Sequence, residues 1–170
     1  NGWNGIFIRY SNNVTVENSV IVDNGKNANS PAKVSGIRYQ EVTSGTIQKN
    51  FIGTNANKII AGNDFDGITL FNNVSNVTIL GNTINYNGFN SVHGAGGGIA
   101  LRNTANNNII RSNFIGMHAD STDGGNNDYG IAIEVGTGNI IGGDNPLQGN
   151  VIANSKNAAG RGVGIWLVLL

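Results

Sequence analysis

Apolar residues recur along the chain in short runs of two or three, and Gly, Asn or Ser bounds most of these runs. The dipeptide Gly-Ile opens such a run at six places, which are Gly5-Ile6, Gly36-Ile37, Gly67-Ile68, Gly98-Ile99, Gly130-Ile131 and Gly164-Ile165. Successive occurrences are 31, 31, 31, 32 and 34 residues apart. A repeat of this length predicts a solenoid, in which each unit buries its apolar face against the next.

Each repeat unit contains three apolar segments, which we predict to be short parallel strands. The first begins at the Gly-Ile dipeptide, and its middle residue points away from its two apolar neighbours. The second strand is exemplified by Val77–Ile79 and the third by Thr83-Ile84. Units stacked about 4.8 Å apart would bury continuous Ile and Val columns. We therefore predict an all-β solenoid of five to six coils, with residues 1–170 forming a single domain.

One polar column lies between the second and third strands of each unit. It consists of Ser19, Asn50, Asn82, Asn113 and Asn150. Asn accepts left-handed backbone conformations, and identical Asn side chains stacked at strand spacing can bond one another. We interpret this column as a structural requirement of stacked coils, not as a binding site.

Composition excludes several other classes of protein. Gly and Asn are poor helix formers, and the chain has 26 Gly and 31 Asn, which disfavours a helical bundle. Ten basic residues balance ten acidic ones, so a nucleic-acid partner is not expected. The chain has no Cys, which excludes disulfides and Cys-based zinc sites. No apolar run reaches the length of about 18 residues that a membrane span needs.

Residues 67–84 carry the pattern Gly-Ile-x-Leu followed by Asn-Val-Thr-Ile-x-Gly-Asn-Thr-Ile. This pattern resembles the right-handed parallel β-helix of the pectate-lyase-like superfamily. The segments 50–54, 113–116 and 141–152 are similar to β-helix repeats of large bacterial secreted and surface proteins. The resemblance implies right-handed coils and an extracellular or cell-surface location, with a bacterial source. It leaves function open, because unrelated functions share this scaffold.

In the family that the chain resembles, ligands lie along the outside of the first strands. The outward positions of these strands form two columns, which are Phe7, Arg38, Thr69, Ala100, Ala132 and Trp166, and then Arg9, Gln40, Phe71, Arg102, Glu134 and Val168. Arginine binds carboxylates with two parallel hydrogen bonds, and aromatic faces stack on sugar rings. The ligand-binding candidates are therefore Phe7, Arg9, Arg38, Gln40, Phe71, Arg102, Glu134 and Trp166. A second interpretation is an ordinary solvated face of mixed polar residues.

Two functions follow from these candidates. The first is a structural or adhesive module that binds polysaccharide on this face. The second is an enzyme, namely a lyase, epimerase or hydrolase that acts on an acidic glycan. The candidate catalytic residues are then Arg102, Glu134 and His93, the last of which lies in a Gly-rich loop. The outward columns contain no converging acid–base cluster, which favours the first function.

The loop that precedes the fifth Gly-Ile is acidic and Gly-rich. Asp120, Asp123 and Asp128 are weak calcium candidates, because calcium prefers clustered oxygen ligands. Their spacing fits neither an EF-hand loop nor the nonapeptide calcium repeat Gly-Gly-x-Gly-x-Asp, so we expect no cofactor and interpret these residues as loop solvation.

The chain ends in the apolar segment 166–170, within a sixth unit. Such an end would leave an unpaired apolar strand edge, whereas solenoids usually carry polar caps. We therefore expect the chain to be part of a longer β-helix that continues into flanking coils. The alternative is end-to-end self-association through this edge.

Overall fold

The computed structural model describes residues 2–26, 33–89, 96–157, 160 and 162–168. It shows a parallel β-helix of about five coils, which confirms the predicted fold class. Sheet A contains the six first strands, in the stacking order Ile6–Arg9, Ile37–Gln40, Ile68–Phe71, Gly97–Arg102, Tyr129–Glu134 and Val163–Val168. All five pairings within this sheet are parallel.

Two five-stranded sheets complete the coils. Sheet B stacks Val14–Glu17, Gly45–Gln48, Val77–Leu80, Ile109–Arg111 and Ile140–Ile141. Sheet C stacks the two-residue strands Val20–Ile21, Phe51–Ile52, Thr83–Ile84, Phe114–Ile115 and Val151–Ile152. One 3-10 helix, Pro146–Gln148, lies between sheets B and C in the fifth coil.

The core consists of aliphatic columns that run through the stack. In sheet A the column Ile37, Ile68, Ile99 and Ile131 is in register and fully buried. The glycine before each of these residues is required by the close approach of neighbouring coils. A Cβ added at Gly67, for example, would lie 2.8 Å from the carbonyl oxygen of Gly98. In these Gly-Ile dipeptides, the glycine therefore allows the next coil to approach closely, and the isoleucine fills the core.

The predicted Asn column is a buried stack. Asn82 Nδ2 donates to Asn113 Oδ1 at 3.0 Å and to the carbonyl of Ile47 at 2.9 Å. Its own Oδ1 accepts from both the backbone N–H and the Nδ2 of Asn50, each at 3.0 Å. At the first coil Ser19 replaces the amide, and its backbone N–H donates to Asn50 Oδ1.

A second Asn stack follows sheet C, and the repeat pattern does not reveal it. Its members are Asn24, Asn63, Asn87 and Asn126, each bonded side chain to side chain at 2.8 to 3.0 Å. The members are 39, 24 and 39 residues apart, because the intervening loops differ in length. The two stacks satisfy backbone groups at two corners of the coils that contain them.

The last described strand of sheet A has apolar side chains that are more exposed than their partners in the neighbouring strand. Ile165 and Leu167 are 43% and 67% exposed, whereas their registered partners Ile131 and Ile133 are buried. Within the described residues, no helix is long and apolar enough to span a membrane.

Candidate functional site

The outer face of sheet A carries the two columns that the sequence predicts. Strand register aligns Phe7 with Arg38, Thr69, Ala100, Ala132 and Trp166. It also aligns Arg9 with Gln40, Phe71, Arg102, Glu134 and Val168. The columns are not uniformly open to solvent, since Thr69, Ala100 and Ala132 are buried. The face is therefore closed at Ala100 and Ala132, whereas Phe7 and Trp166 are exposed.

Tyr129 closes the middle of this face. Its ring packs with Ala100 and Ala132 in a small buried cluster on the outer side of the sheet. The registered partner of Tyr129 is Gly97, where an added Cβ would lie 2.4 Å from the tyrosine ring. The two alanines and the glycine thus make room for the ring, which explains why small residues interrupt the outward column.

Asp66 anchors Tyr129 from a fully buried position. Asp66 Oδ1 accepts from Tyr129 Oη at 2.5 Å and from the Gly97 N–H at 3.1 Å. Asp66 Oδ2 accepts from Thr69 Oγ1 at 2.7 Å, and the Thr69 hydroxyl also bonds that of Ser35. A buried carboxylate with this many donors is a built polar network, not a solvated surface group.

Arg102 joins the same network and is neutralised by it. Its Nη2 donates to Tyr129 Oη at 2.7 Å and lies 3.6 Å from Asp66 Oδ2. Its Nη1 donates to Glu134 Oε1 at 2.6 Å. The guanidinium carbon also lies 5.2 Å from the ring centre of Phe65. With two carboxylates beside it, Arg102 has little charge left for an external anion.

Burial and charge act in opposite directions within this network. Burial raises the pKa of Asp66, while the charge of Arg102 and the three donated hydrogen bonds oppose that rise. Burial and then the charge of Asp66 raise the pKa of Tyr129 far above the ordinary value. Burial acts to lower the pKa of Arg102, but Asp66, Tyr129 and Glu134 together raise it. Tyr129 therefore remains a neutral donor and Arg102 remains a cation.

Arg38 has a different environment from Arg102. Its guanidinium carbon lies 4.3 Å from the ring centre of Phe71, and its Nη2 reaches Gln40 Oε1 at 3.4 Å. Within the described residues no carboxylate lies within 4.0 Å of Arg38, and its Nε is buried without a hydrogen-bond partner. Burial lowers the pKa of Arg38, and the charge of Asp66 partly offsets this effect. Arg38 is thus a half-buried, stacked cation that makes no salt bridge with a carboxylate in the described part of the chain.

The remaining candidates lie at the two edges of the face. At the first coil Phe7 is 51% exposed, and Arg9 lies 3.6 Å from Glu41 and stacks on Tyr10. At the last described strand Trp166 is 42% exposed, and its ring centre is 6.1 Å from that of Tyr129. The structure thus places all eight candidates on one face. Two of them, Arg102 and Glu134, make their hydrogen bonds within the network around Tyr129.

The three aspartates of the acidic loop have separate contacts. Asp120 pairs with Lys58 and accepts from Thr122, whereas Asp123 lies 3.5 Å from Lys156 Nζ. Asp128 accepts from Asn157 Nδ2 at 2.8 Å. No group of three or more His, Asp or Glu side chains in the described ranges is arranged to hold a metal ion. The weak calcium prediction gains no support from this arrangement.

His118 is the one histidine within the described residues, and it lies on the side of sheet C. It is buried against Tyr86, with 3.5 Å between Nε2 and the tyrosine Oη and 5.9 Å between the ring centres. Burial and the nearby Lys58 lower its pKa, and Asp120 opposes them. Folding therefore favours the neutral imidazole.

We expect this histidine to reduce stability in mild acid. A pKa lowered by folding means that the stabilisation is present above the unfolded pKa of about 6.5 and is lost as pH falls toward the folded value. The urea midpoint should decrease between pH 7.5 and pH 5.5 by more in the wild type than in His118→Gln. Equal decreases in the two proteins would show that His118 does not contribute.

His93, the third catalytic candidate, lies outside the described residues. Sequence reasoning did not identify Tyr129 and Phe65, and it did not predict that Asp66 would hold Tyr129 on this face. Asp66 and Tyr129 each directly precede a Gly-Ile dipeptide, at Gly67 and Gly130. The residues directly before the Gly-Ile dipeptides form a further column on the outer face. The presence of a carboxylate and a tyrosine in this column is the sequence signal that could have identified the network.

Comparisons with protein-family models, curated proteins and solved structures give no significant match for this chain.

Proposed function

We propose that this protein is an extracellular β-helix module of the pectate-lyase-like type that binds an acidic polysaccharide on the outer face of sheet A. Its role is structural or adhesive, with Arg38 as the residue that binds a carboxylate of the polymer. The observation that carries the proposal is the half-buried guanidinium of Arg38, which has no carboxylate within 4.0 Å among the described residues.

The surroundings of Arg38 suit this ligand class. Stacking on Phe71 holds the plane of the guanidinium and restricts its rotamers before a ligand arrives. A carboxylate accepts two parallel hydrogen bonds from a guanidinium held in this way. The buried, unpartnered Nε adds a further donor that an anion can satisfy. Phe7 lies in the first coil, in register with Arg38 of the second, and offers an exposed aromatic face for a sugar ring.

The same contacts favour binding over catalysis. Of the catalytic candidates within the described residues, Arg102 and Glu134 are bonded to each other at 2.6 Å. Glu134 is therefore paired with a cation, and Arg102, which two carboxylates hold as a cation, does not accept a proton from a substrate. An enzyme acting on an acidic glycan is the alternative function.

We expect Arg38→Ala to weaken binding of polygalacturonate or alginate by about tenfold to a hundredfold, because charge-assisted hydrogen bonds contribute about 1.5–3 kcal/mol. Arg38→Lys should recover part of the affinity, since it keeps the charge but loses the planar fork. Binding should also weaken as salt is increased. Affinity electrophoresis in gels that contain each polymer measures these changes.

The matched control is Arg111→Ala, which removes an arginine from sheet B. It should leave the affinity for the acidic polymers unchanged. In a gel that contains neutral dextran, the wild type and Arg38→Ala should migrate equally. Equal affinity of wild type and Arg38→Ala for every acidic polymer would contradict the proposal. Production of reducing ends or of unsaturated, ultraviolet-absorbing products by wild type, with loss in Arg102→Ala, would establish the enzyme instead.

A further inference from the structure

A cleft lies at the opposite end of sheet A from Arg38, beside the last described strand. Its volume is about 160 Å³, and its lining residues are Asp128, Asn157, Gly162, Val163 and Trp166. Ligand pockets usually have volumes of about 300–1,000 Å³, so this cleft has room for one small ring and not for a long segment of polymer. All five lining residues belong to the described part of the chain.

The aromatic wall of the cleft is the indole of Trp166, which packs against Tyr129. Trp166 is in register with Ala132, and its ring contacts that of Tyr129 at 6.1 Å with an interplanar angle of 58°. Tyr129 is in turn fixed by hydrogen bonds with Asp66 and Arg102. The indole is nevertheless 42% exposed, so it presents an apolar surface whose orientation is set before a ligand binds.

The polar wall consists of Asp128 and Asn157, which lie on two different loops. Asp128 Oδ1 accepts from Asn157 Nδ2 at 2.8 Å, which places a carboxylate and an amide side by side. The backbone carbonyl of Asp128 accepts from the Val163 N–H at 2.8 Å, which ties this wall to the strand that carries Trp166. A carboxylate accepts strong hydrogen bonds from hydroxyl groups, and an amide both donates and accepts.

We infer that this cleft binds a single neutral sugar ring with adjacent free hydroxyl groups. The apolar C–H face of the ring stacks on Trp166, while two neighbouring hydroxyls bond Asp128 and Asn157. The carboxylate of Asp128 repels an acidic sugar, so the ligand class differs from that at Arg38. The inference does not depend on the proposed function, and the two sites are tested with different ligands.

Fluorescence of Trp166 tests this inference in the full chain. The chain has two tryptophans, so Trp3→Phe leaves Trp166 as the only one. In this background, methyl glycosides of glucose, galactose and mannose are titrated separately. At least one should give a saturable change with a dissociation constant of about 1 mM, an affinity suited to one ring. Absence of a saturable change with all three would overturn the inference.

Asp128→Asn is the decisive variant. Asp128 has a left-handed backbone with φ of 47°, which Asn accepts well, so the fold and the urea midpoint should not change. Loss of the charged acceptor should weaken sugar binding about tenfold. Unchanged affinity in this variant would overturn the inference. Tighter binding of tetramethylammonium than of any sugar would also overturn it, because that result assigns the cleft to a cation.

Two further variants separate this site from the one at Arg38. Trp166→Ala should abolish the saturation-transfer NMR signal from protein to sugar, a measurement that needs no tryptophan. Arg38→Ala should leave sugar binding unchanged while it weakens binding of the acidic polymer. Loss of neutral-sugar binding in Arg38→Ala would show one shared groove and would contradict a separate site.

Discussion

Replacing Asn82 with Ala is expected to reduce the free energy of unfolding by about 3–5 kcal/mol, because each buried polar group left without a partner costs about 1–3 kcal/mol. The side chain of Asn82 makes four hydrogen bonds in the centre of the stack. Alanine leaves the backbone N–H of Asn50 without its acceptor and the Ile47 carbonyl without the amide donor. A cavity adds to this loss. Urea unfolding followed by far-ultraviolet circular dichroism measures the change.

Asn150→Ala is the matched control, at the end of the same stack. Asn150 makes equivalent bonds to Asn113 and to the Ile110 carbonyl, but it is only partly buried. Water can replace an amide there, so the loss should be about 1 kcal/mol. A difference of less than 1 kcal/mol between the two variants would show that burial does not govern the contribution of the stack.

Asp66→Ala is expected to have an effect of similar size, about 3–5 kcal/mol, because removal of one partner from a buried ionic network leaves the others uncompensated. Tyr129 Oη, Thr69 Oγ1 and the Gly97 N–H would all lose their acceptor. Arg102 would lose one of its two neighbouring carboxylates and would retain Glu134 and the hydrogen bond to Tyr129. The packing of Tyr129 against Trp166 should loosen, which near-ultraviolet circular dichroism detects independently of the urea midpoint.

Glu134→Gln is the control for this variant, since Glu134 is the more exposed carboxylate of the network, with 28% of its side chain accessible against 0% for Asp66. It should cost about 1 kcal/mol or less. A double-mutant cycle of Asp66→Ala with Arg102→Ala should give a coupling energy within about 0.5–3 kcal/mol. Additive losses in that cycle would contradict the assignment of the two residues to one network.

The network also determines how the outer face of sheet A is used. Arg38 lies in the first outward column and Arg102 in the second, two coils further along the stack. The structure makes Arg102 a support for Tyr129, and it leaves Arg38 as the cation that meets the ligand. Variants of Arg102 are therefore expected to change stability first, and variants of Arg38 to change binding with little change in stability.

Local periodicity made most of the fold predictable. The third strands, Val20–Ile21 to Val151–Ile152, have the predicted limits, and the first strands begin at or close to each Gly-Ile dipeptide. The outward columns were predictable for the same reason, because strand alternation assigns Arg38 and Trp166 to one face once the period is known. The sixth strand of sheet A also lies where the repeat places it, over Val163–Val168.

Contacts between coils with unequal loops were not predictable in this way. In the second Asn stack, Asn24 and Asn63 are 39 residues apart, whereas Asn63 and Asn87 are 24 residues apart. The members therefore do not follow the period of the repeat. Asp66 and Tyr129 are 63 residues apart and belong to coils that are not adjacent. Their contact requires the glycine at position 97, where the intervening coil has no side chain.

The sequence by itself determined the coil, the aliphatic core and the choice of outer face. These features depend on alternation within a strand and on a period close to 31 residues, both of which are local properties of the chain. Only the tertiary structure decided which of the outward side chains are neutralised and which remain open. That outcome depends on distances across two coils, where burial strengthens each charge interaction and where a single small residue decides whether two side chains can meet.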